Sequence, residues 1–389
     1  MTNDQNDAAS SSSQSTQPPL FPHAPHLPLD LVAEILCKLP VKHLLQLRLV
    51  SNSWNSLISH NPEFSAKHLR FSTSNHNRHH LILNSTLSSR HFILSHSPIS
   101  SFFSSTSPII VTHLTHTHSL NNGNSGRGRG VITTCDGIIC FGIDESLALL
   151  SNPSIRKFKL LPPLKINNSH QKHFQNLYTL LYDRFASNYK IFSVACCNSE
   201  KQVNVHTLGT DYWRRIKDFP CSYIIPKPGI FVSDTVNWLA CDDTSFAVRV
   251  IVSLDLENEL YRKLSPPLFY DMPFEVSMTL GVLRGCLSML SYSDKFSNVW
   301  IMTEYGNEKS WSKLFSVPRI EEWGVYVYTK ALYVSEDEQV LMECLKMGKY
   351  SLVVYDSRNN TFKIPKFQNY KQGSEMTTEV YVESLISPL

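Results

Sequence analysis

Three histidines, His113, His116 and His118, fall close together. Such a run can hold a transition metal on one strand face, because residues two apart point the same way. No Asp, Glu or Cys stands beside them to complete a ligand set, so the sequence predicts no metal there. The glycines from Gly123 to Gly130 could wrap backbone amides around a phosphate, but the stretch lacks the Lys-Ser/Thr pair of a P-loop and opens no helical pattern. It reads as a solvated loop, whose Arg127 and Arg129 could meet an acidic partner. Asp183, Asp211, Asp255 and Asp356 offer carboxylates for acid–base work, yet each sits near a strand-to-turn junction, where Asp bonds its own backbone. There is no G-x-S-x-G, no H-E-x-x-H and no cysteine in a setting that lowers its pKa. The expectation is a non-catalytic protein without cofactor or metal.

Bulk properties narrow the class further. The chain has 389 residues, 42% of them apolar, and a net charge of +3, with no clustered Lys and Arg of the kind that binds nucleic acid or an anionic membrane. Its nine cysteines are scattered without a C-x-x-C pair, which argues against a disulfide framework and a structural zinc. The N-terminal segment is polar, and no run of eighteen apolar residues occurs, so a cytoplasmic or nuclear protein is expected. Residues 1–22, rich in Ser, Gln, Asn and Pro, read as a disordered tail.

Residues 27 to 64 carry three short helical patterns. The first starts after Pro28 with Leu31, Val32, Ile35, Leu36 and Leu39, and Pro40 stops it. The second runs from Val41 through Leu44, Leu45 and Leu49; the third starts near Ser51 with Trp54, Leu57 and Ile58, and Asn61-Pro62 ends it. A unit this small buries too little apolar surface to stand alone. Its apolar residues exceed what a three-helix core encloses, which predicts an exposed patch for another protein.

The residues Leu27-Pro28, Leu31, Ile35-Leu36, Leu39-Pro40-Val41, Leu44-Leu45, Arg48, Val50 and Trp54 resemble an F-box, here residues 23–70. The resemblance implies a Skp-type adaptor as partner and, through it, a cullin, with Leu27, Pro28, Leu31, Ile35, Leu36, Leu39, Pro40, Val41, Leu44, Leu45, Val50 and Trp54 as the adaptor-binding set. Ser51 stands where cysteine is common and Asn52 where lysine or arginine is common, which implies weakened, not abolished, adaptor binding.

Beyond residue 76 the pattern changes to short apolar and β-branched segments broken by Gly, Asn, Asp and Pro, an all-β signature. Five times a strand, a polar loop, a second strand and a tight turn lead to an aromatic residue and usually a proline. The turn aromatics Phe158, Trp213, Tyr261, Trp311 and Phe362 are separated by 55, 48, 50 and 51 residues. A period near fifty matches a kelch-like β-propeller blade, with the aromatic filling the space between blades. Strands within 79–115 supply one more blade, and the final YVESLISP can pair with them to join the chain ends. About six blades are expected, spanning residues 76–389.

This region is similar to the F-box-associated domain of plant F-box/kelch proteins, through CDGIICFG, SNPSIRKFKLLPP, GIFVSDTVNWLA, SLDLENE, LGVLRGCLSML and VWIMTEYGNEKSWSKLF. The resemblance implies a substrate receptor of a ubiquitin ligase, in which the F-box holds the adaptor and the propeller holds a target protein. A ligand- or sugar-binding propeller, or a scaffold without ubiquitin transfer, is the alternative. Target-binding residues are not identifiable; Trp323, Tyr326 and Tyr328, beside Glu321 and Glu322, are candidates for a recognition face, with core packing as the other reading.

Overall fold

The computed structural model describes residues 27–88, 91–104, 108–114, 132–143, 146–164, 175–196, 201–242, 245–267, 278–292, 296–319, 326–368 and 375–389. The expected tail and the Gly123–Gly130 loop lie outside these residues. Helix α1 covers Leu29–Leu36, α2 Val41–Leu47 and α3 Asn52–His60. A fourth helix, α4, follows at Pro62–Ser74; its stretch from Phe64, FSAKHLRF, reads from the sequence alone as either helix or linker. The Asn61-Pro62 pair that ends α3 also starts α4. Asn61 Oδ1 accepts the Phe64 amide at 2.9 Å, and proline at the first helical position gives up no hydrogen bond. Ser51, one of the two departures from the F-box pattern, caps α3 by accepting the Trp54 amide at 3.2 Å.

The rest of the described chain forms a closed ring of six four-stranded blades, the fourth carrying an extra short strand, with a separate two-stranded parallel pair of Ile109–Ile110 and Phe367–Gln368. Blade 1 is assembled from both chain ends, with Glu375–Val382 as its inner strand, followed outward by His79–Ser88, His91–Pro98 and Thr112–Leu114. Its register pairs His79 with Val382 and Thr86 with Glu375. The closing strand thus starts six residues before the expected YVESLISP, and only Tyr381 and Val382 of that segment belong to it. Residues 383–389 run on past the sheet. Joining the termini removes the unpaired edge that an open array would leave. The inner strands of blades 2 to 6 are Ile132–Cys135, Gln175–Asp183, Ile230–Val232, Met278–Leu283 and Tyr326–Val334.

Each blade buries its faces against its neighbours, as stacked sheets of this size must. Blades 3 and 4 share a core around Phe192, Val205, Trp238 and Leu254, and blades 5 and 6 one around Val299, Val317, Met342 and Tyr355. The F-box is joined to blade 1 at His79, at the end of the ring where the inner strands finish.

Candidate functional site

The helical module divides its apolar residues into two sets. Leu36, Val41 and Leu44 are buried and form its core with Val32, Ile58 and Phe64. Leu27, Leu31, Ile35 and Val50 are exposed, and so are Leu29 and Leu49, which lie outside the adaptor-binding set that the resemblance implies. Pro28 and Pro40 are also exposed; Leu39, Leu45 and Trp54 are half-buried. Leu31 and Ile35 are one helical turn apart on α1, so they share a face. The neighbours Ile35 and Leu36 stand at 55% and 2% exposure, which separates surface from core. Leu36, Val41 and Leu44 are therefore turned into the module's own interior.

Two segments of the propeller complete this small core. Arg78, between α4 and blade 1, donates from Nη1 to the Leu39 carbonyl at 2.9 Å and from Nη2 to the Lys38 carbonyl. Its guanidinium lies over the Phe71 ring, 5.0 Å from the centroid. The buried His68 also reaches the Leu39 oxygen through Nε2 at 3.0 Å; burial lowers its pKa, and the neutral ring donates there. From the far end of the chain, Leu385 packs against the F-box core. The tail that carries Leu385 is fixed to blade 2: Asn152 Nδ2 donates to the carbonyls of Ser384 and Ile386 at 3.1 and 2.8 Å, and Ser384 Oγ donates to the Asp136 carbonyl at 2.6 Å.

A cavity of about 430 Å³ lies on the propeller axis, lined by the inner strands. Threonine hydroxyls bridge one blade to the next around it. Thr133 accepts the Leu180 amide at 3.2 Å and Thr179 the Gly229 amide at 2.8 Å. Thr279 donates to the Thr329 carbonyl at 2.9 Å, Thr378 to Glu343 Oε2 at 2.7 Å and Thr134 to the Val380 carbonyl at 2.6 Å. Between blades 4 and 5 the bridge is Tyr305, whose hydroxyl bonds Thr235 Oγ1 at 2.6 Å. Four charged side chains, Lys227, Lys330, Glu343 and Glu379, line the same cavity. Lys330 pairs with Glu379, and Glu343 takes hydroxyl donors from Thr329 and Thr378. These inner-strand threonines follow their own spacing: Thr133, Thr179, Thr279, Thr329 and Thr378 are 46, 100, 50 and 49 apart, with Ile230 in the gap.

Comparison with known proteins agrees with this architecture. Residues 90–388 match the F-box associated beta propeller domain, and residues 25–65 match the F-box domain. The chain belongs to the plant F-box proteins with an F-box-associated propeller. An F-box/kelch-repeat protein of Arabidopsis thaliana is 30% identical over 377 residues, spanning 94% of this chain and 97% of that protein. The F-box protein CPR1 of the same plant is 23% identical over 390 residues, spanning 92% of this chain and 88% of its own length.

In this F-box protein the turn aromatics do not behave alike. Trp213, Tyr261 and Trp311 are partly buried, and each donates to a backbone carbonyl of the preceding blade's exit: Pro162 at 2.8 Å, Lys217 at 3.1 Å and Ser265 at 3.1 Å. Phe362 stacks on Tyr355 of its own blade with centroids 4.9 Å apart. Phe158, expected between blades, is 51% exposed on the outermost strand of blade 2, where no further strand covers it. Of the recognition candidates, Tyr328 is 3% exposed and sits in the core of blades 5 and 6. Trp323 lies outside the described residues, as does the side chain of Tyr326. His113 bonds Ser95 Oγ at 2.9 Å, while His116 and His118 lie outside. Asp183, Asp255 and Asp356 each accept two backbone amides of their own turns. No helix is long and apolar enough to cross a membrane among the described residues.

Proposed function

We propose that this chain is the substrate-recognition subunit of a Skp–cullin–F-box ubiquitin ligase, with no chemistry of its own. The supporting observation is the exposed apolar set Leu27, Leu31, Ile35 and Val50 on a module whose own core is already closed by Leu36, Leu44, Ile58 and Phe64. Apolar side chains left outside a complete core are available to a second protein. The propeller supplies the other half of the bridge. It holds a target so that the target's lysines stay near a ubiquitin-charged enzyme, which raises effective concentration and fixes orientation. The end of the ring away from His79 faces away from the F-box and is the face assigned to the target. Such a complex works in the cytoplasm or nucleus.

The test is capture with the full chain in cells, with and without proteasome inhibition. A held protein should accumulate when the proteasome is blocked, and also when Leu31→Asp/Ile35→Asp replaces the wild type. Held proteins whose abundance follows neither treatment contradict the ligase reading and favour a scaffold.

A further inference from the structure

The end of the ring away from His79 carries a turn whose residues a hairpin built only for stability would not use. The inner strand of blade 6, Tyr326–Val334, finishes at the F-box end, so the next strand, Gln339–Lys346, runs back to the opposite one. There Met347-Gly348 alone joins it to Lys349–Asp356, with both residues at positive φ, +47° and +76°. Two-residue turns of this hand favour Asn, Asp or Gly. The protein builds the same turn at Asp136-Gly137, Ser233-Asp234 and Arg284-Gly285, each with a polar residue first. A methionine in that position carries backbone strain, and burial does not offset it. Met347 is 80% exposed, more than any other large apolar side chain described outside the F-box.

The charges beside it are also set against local stability. Lys346 and Lys349 are register partners across the turn, and like charges directly opposite one another destabilise a hairpin. Lys349 is exposed, and among the described residues it enters none of the ion pairs of blade 6, which join Lys330 to Glu379 and Arg358 to Asp337 and Glu338. Two ammonium groups thus flank one exposed thioether on the face assigned to the target. Tyr326, a recognition candidate from the sequence, is the register partner of Lys346.

We propose that this turn is a contact for the target and selects an acidic protein segment, whose apolar side chains receive Met347 while carboxylates on either side meet Lys346 and Lys349. The inference rests on the reading of the propeller as the holder of a target, and it adds the chemistry of what is held. Carboxylates of a partner remove the mutual repulsion of the two lysines, so an acidic segment gains more here than beside a lone surface lysine. The same charges turn basic partners away. The flexible, polarisable methionine supplies the apolar anchor and adapts to the surface it meets.

Panning a phage-displayed library of random peptides on the full chain tests this. The selected peptides are expected to combine Asp or Glu with a large apolar residue, and to lose about tenfold or more in affinity on Lys346→Glu/Lys349→Glu. Met347→Asn gives the turn a residue suited to it, so the melting temperature should hold or rise while the same peptides weaken about tenfold. A merely structural role for Met347 predicts no such loss. Selected peptides without acidic residues, no selection at all, or full affinity in both variants overturns the proposal. Should Lys346→Glu/Lys349→Glu fail to fold, Met347→Asn and the make-up of the peptides held by the wild type still decide. Titration with a Skp-type adaptor reports separately on the ligase reading. Acidic peptides held through this turn by a chain that binds no adaptor strike that reading and keep this one, and the reverse pair of results strikes this one alone.

Discussion

Arg78 Nη1 lies 2.9 Å from the Leu39 carbonyl oxygen, a bond from the first residues of the propeller to the turn that follows α1. Together with the contact of Leu385 on the F-box core, it makes the two domains share a boundary rather than hang on a linker. A module too small to be stable alone is thus completed from both ends of the propeller. Hydrogen bonds from a charged donor contribute about 1.5–3 kcal/mol, and His68 still serves the Leu39 oxygen when Arg78 is gone. Arg78→Ala should therefore cost the module about 1–2 kcal/mol. Hydrogen exchange across Val41–Leu47 should accelerate roughly tenfold while the blades keep their protection. Unchanged exchange in α2 would count against the strut.

Gly137 governs the second contact. Its φ of +80° suits glycine, and a Cβ there would stand 2.3 Å from Ser384 Oγ and 2.8 Å from the Val382 carbonyl. Gly137→Ala is expected to lift the tail off blade 2 and withdraw Leu385 from the F-box. The backbone strain adds about 1 kcal/mol to the loss. A control is Gly285→Ala, where the φ of +75° is similar but nothing lies within 4 Å. Thermal melting with limited proteolysis should show the F-box released in the first variant only.

His80 and His96 in blade 1 have Nδ1 atoms 3.3 Å apart. Burial first, and then a neighbouring imidazole in each case, pushes both down to about 4. The unfolded chain, with histidines near 6.5, binds more protons than the fold between these values. Stability from this pair is therefore complete above about pH 6.5 and lost as pH falls towards 4, a change on the order of a few kcal/mol. Melting temperature should fall across that window, and His80→Gln/His96→Gln should flatten the fall. An equally steep profile in the double variant would show that other groups carry it.

Much of this was legible in the chain, and what was not has identifiable causes. Proline and asparagine marked the helix boundaries of α1 to α3, but Asn61-Pro62 stops one helix and begins the next with the same chemistry, so α4 was left open. The excess of apolar residues announced that some of them stay exposed. Which ones face out depends on how α1 packs, and Ile35 and Leu36 are indistinguishable by type. The turn aromatics revealed the blade period because each sits in a multi-residue unit. The inner-strand threonines repeat just as regularly, yet a single residue every fifty has no local pattern to support it. Glu379 meets Lys330 only because the ring brings blade 1 against blade 6, a juxtaposition that no local spacing encodes, whereas Glu343 is the register partner of Lys330 within blade 6. Tyr328 was open to a rim or a core reading because acidic residues precede an apolar strand, and the strand that contains it turns its side chain into the core.

Calorimetric titration of the full chain with a Skp-type adaptor measures whether the proposed contact on the exposed face of α1 forms. Ile35→Asp should weaken binding a hundredfold or more with an unchanged melting profile, because Ile35 is 55% exposed. Leu36→Asp, at 2% exposure, should also lose binding, but by unfolding the F-box. Adaptor binding that survives in Ile35→Asp and in Leu31→Asp/Ile35→Asp would show that the exposed face of α1 is not the adaptor contact.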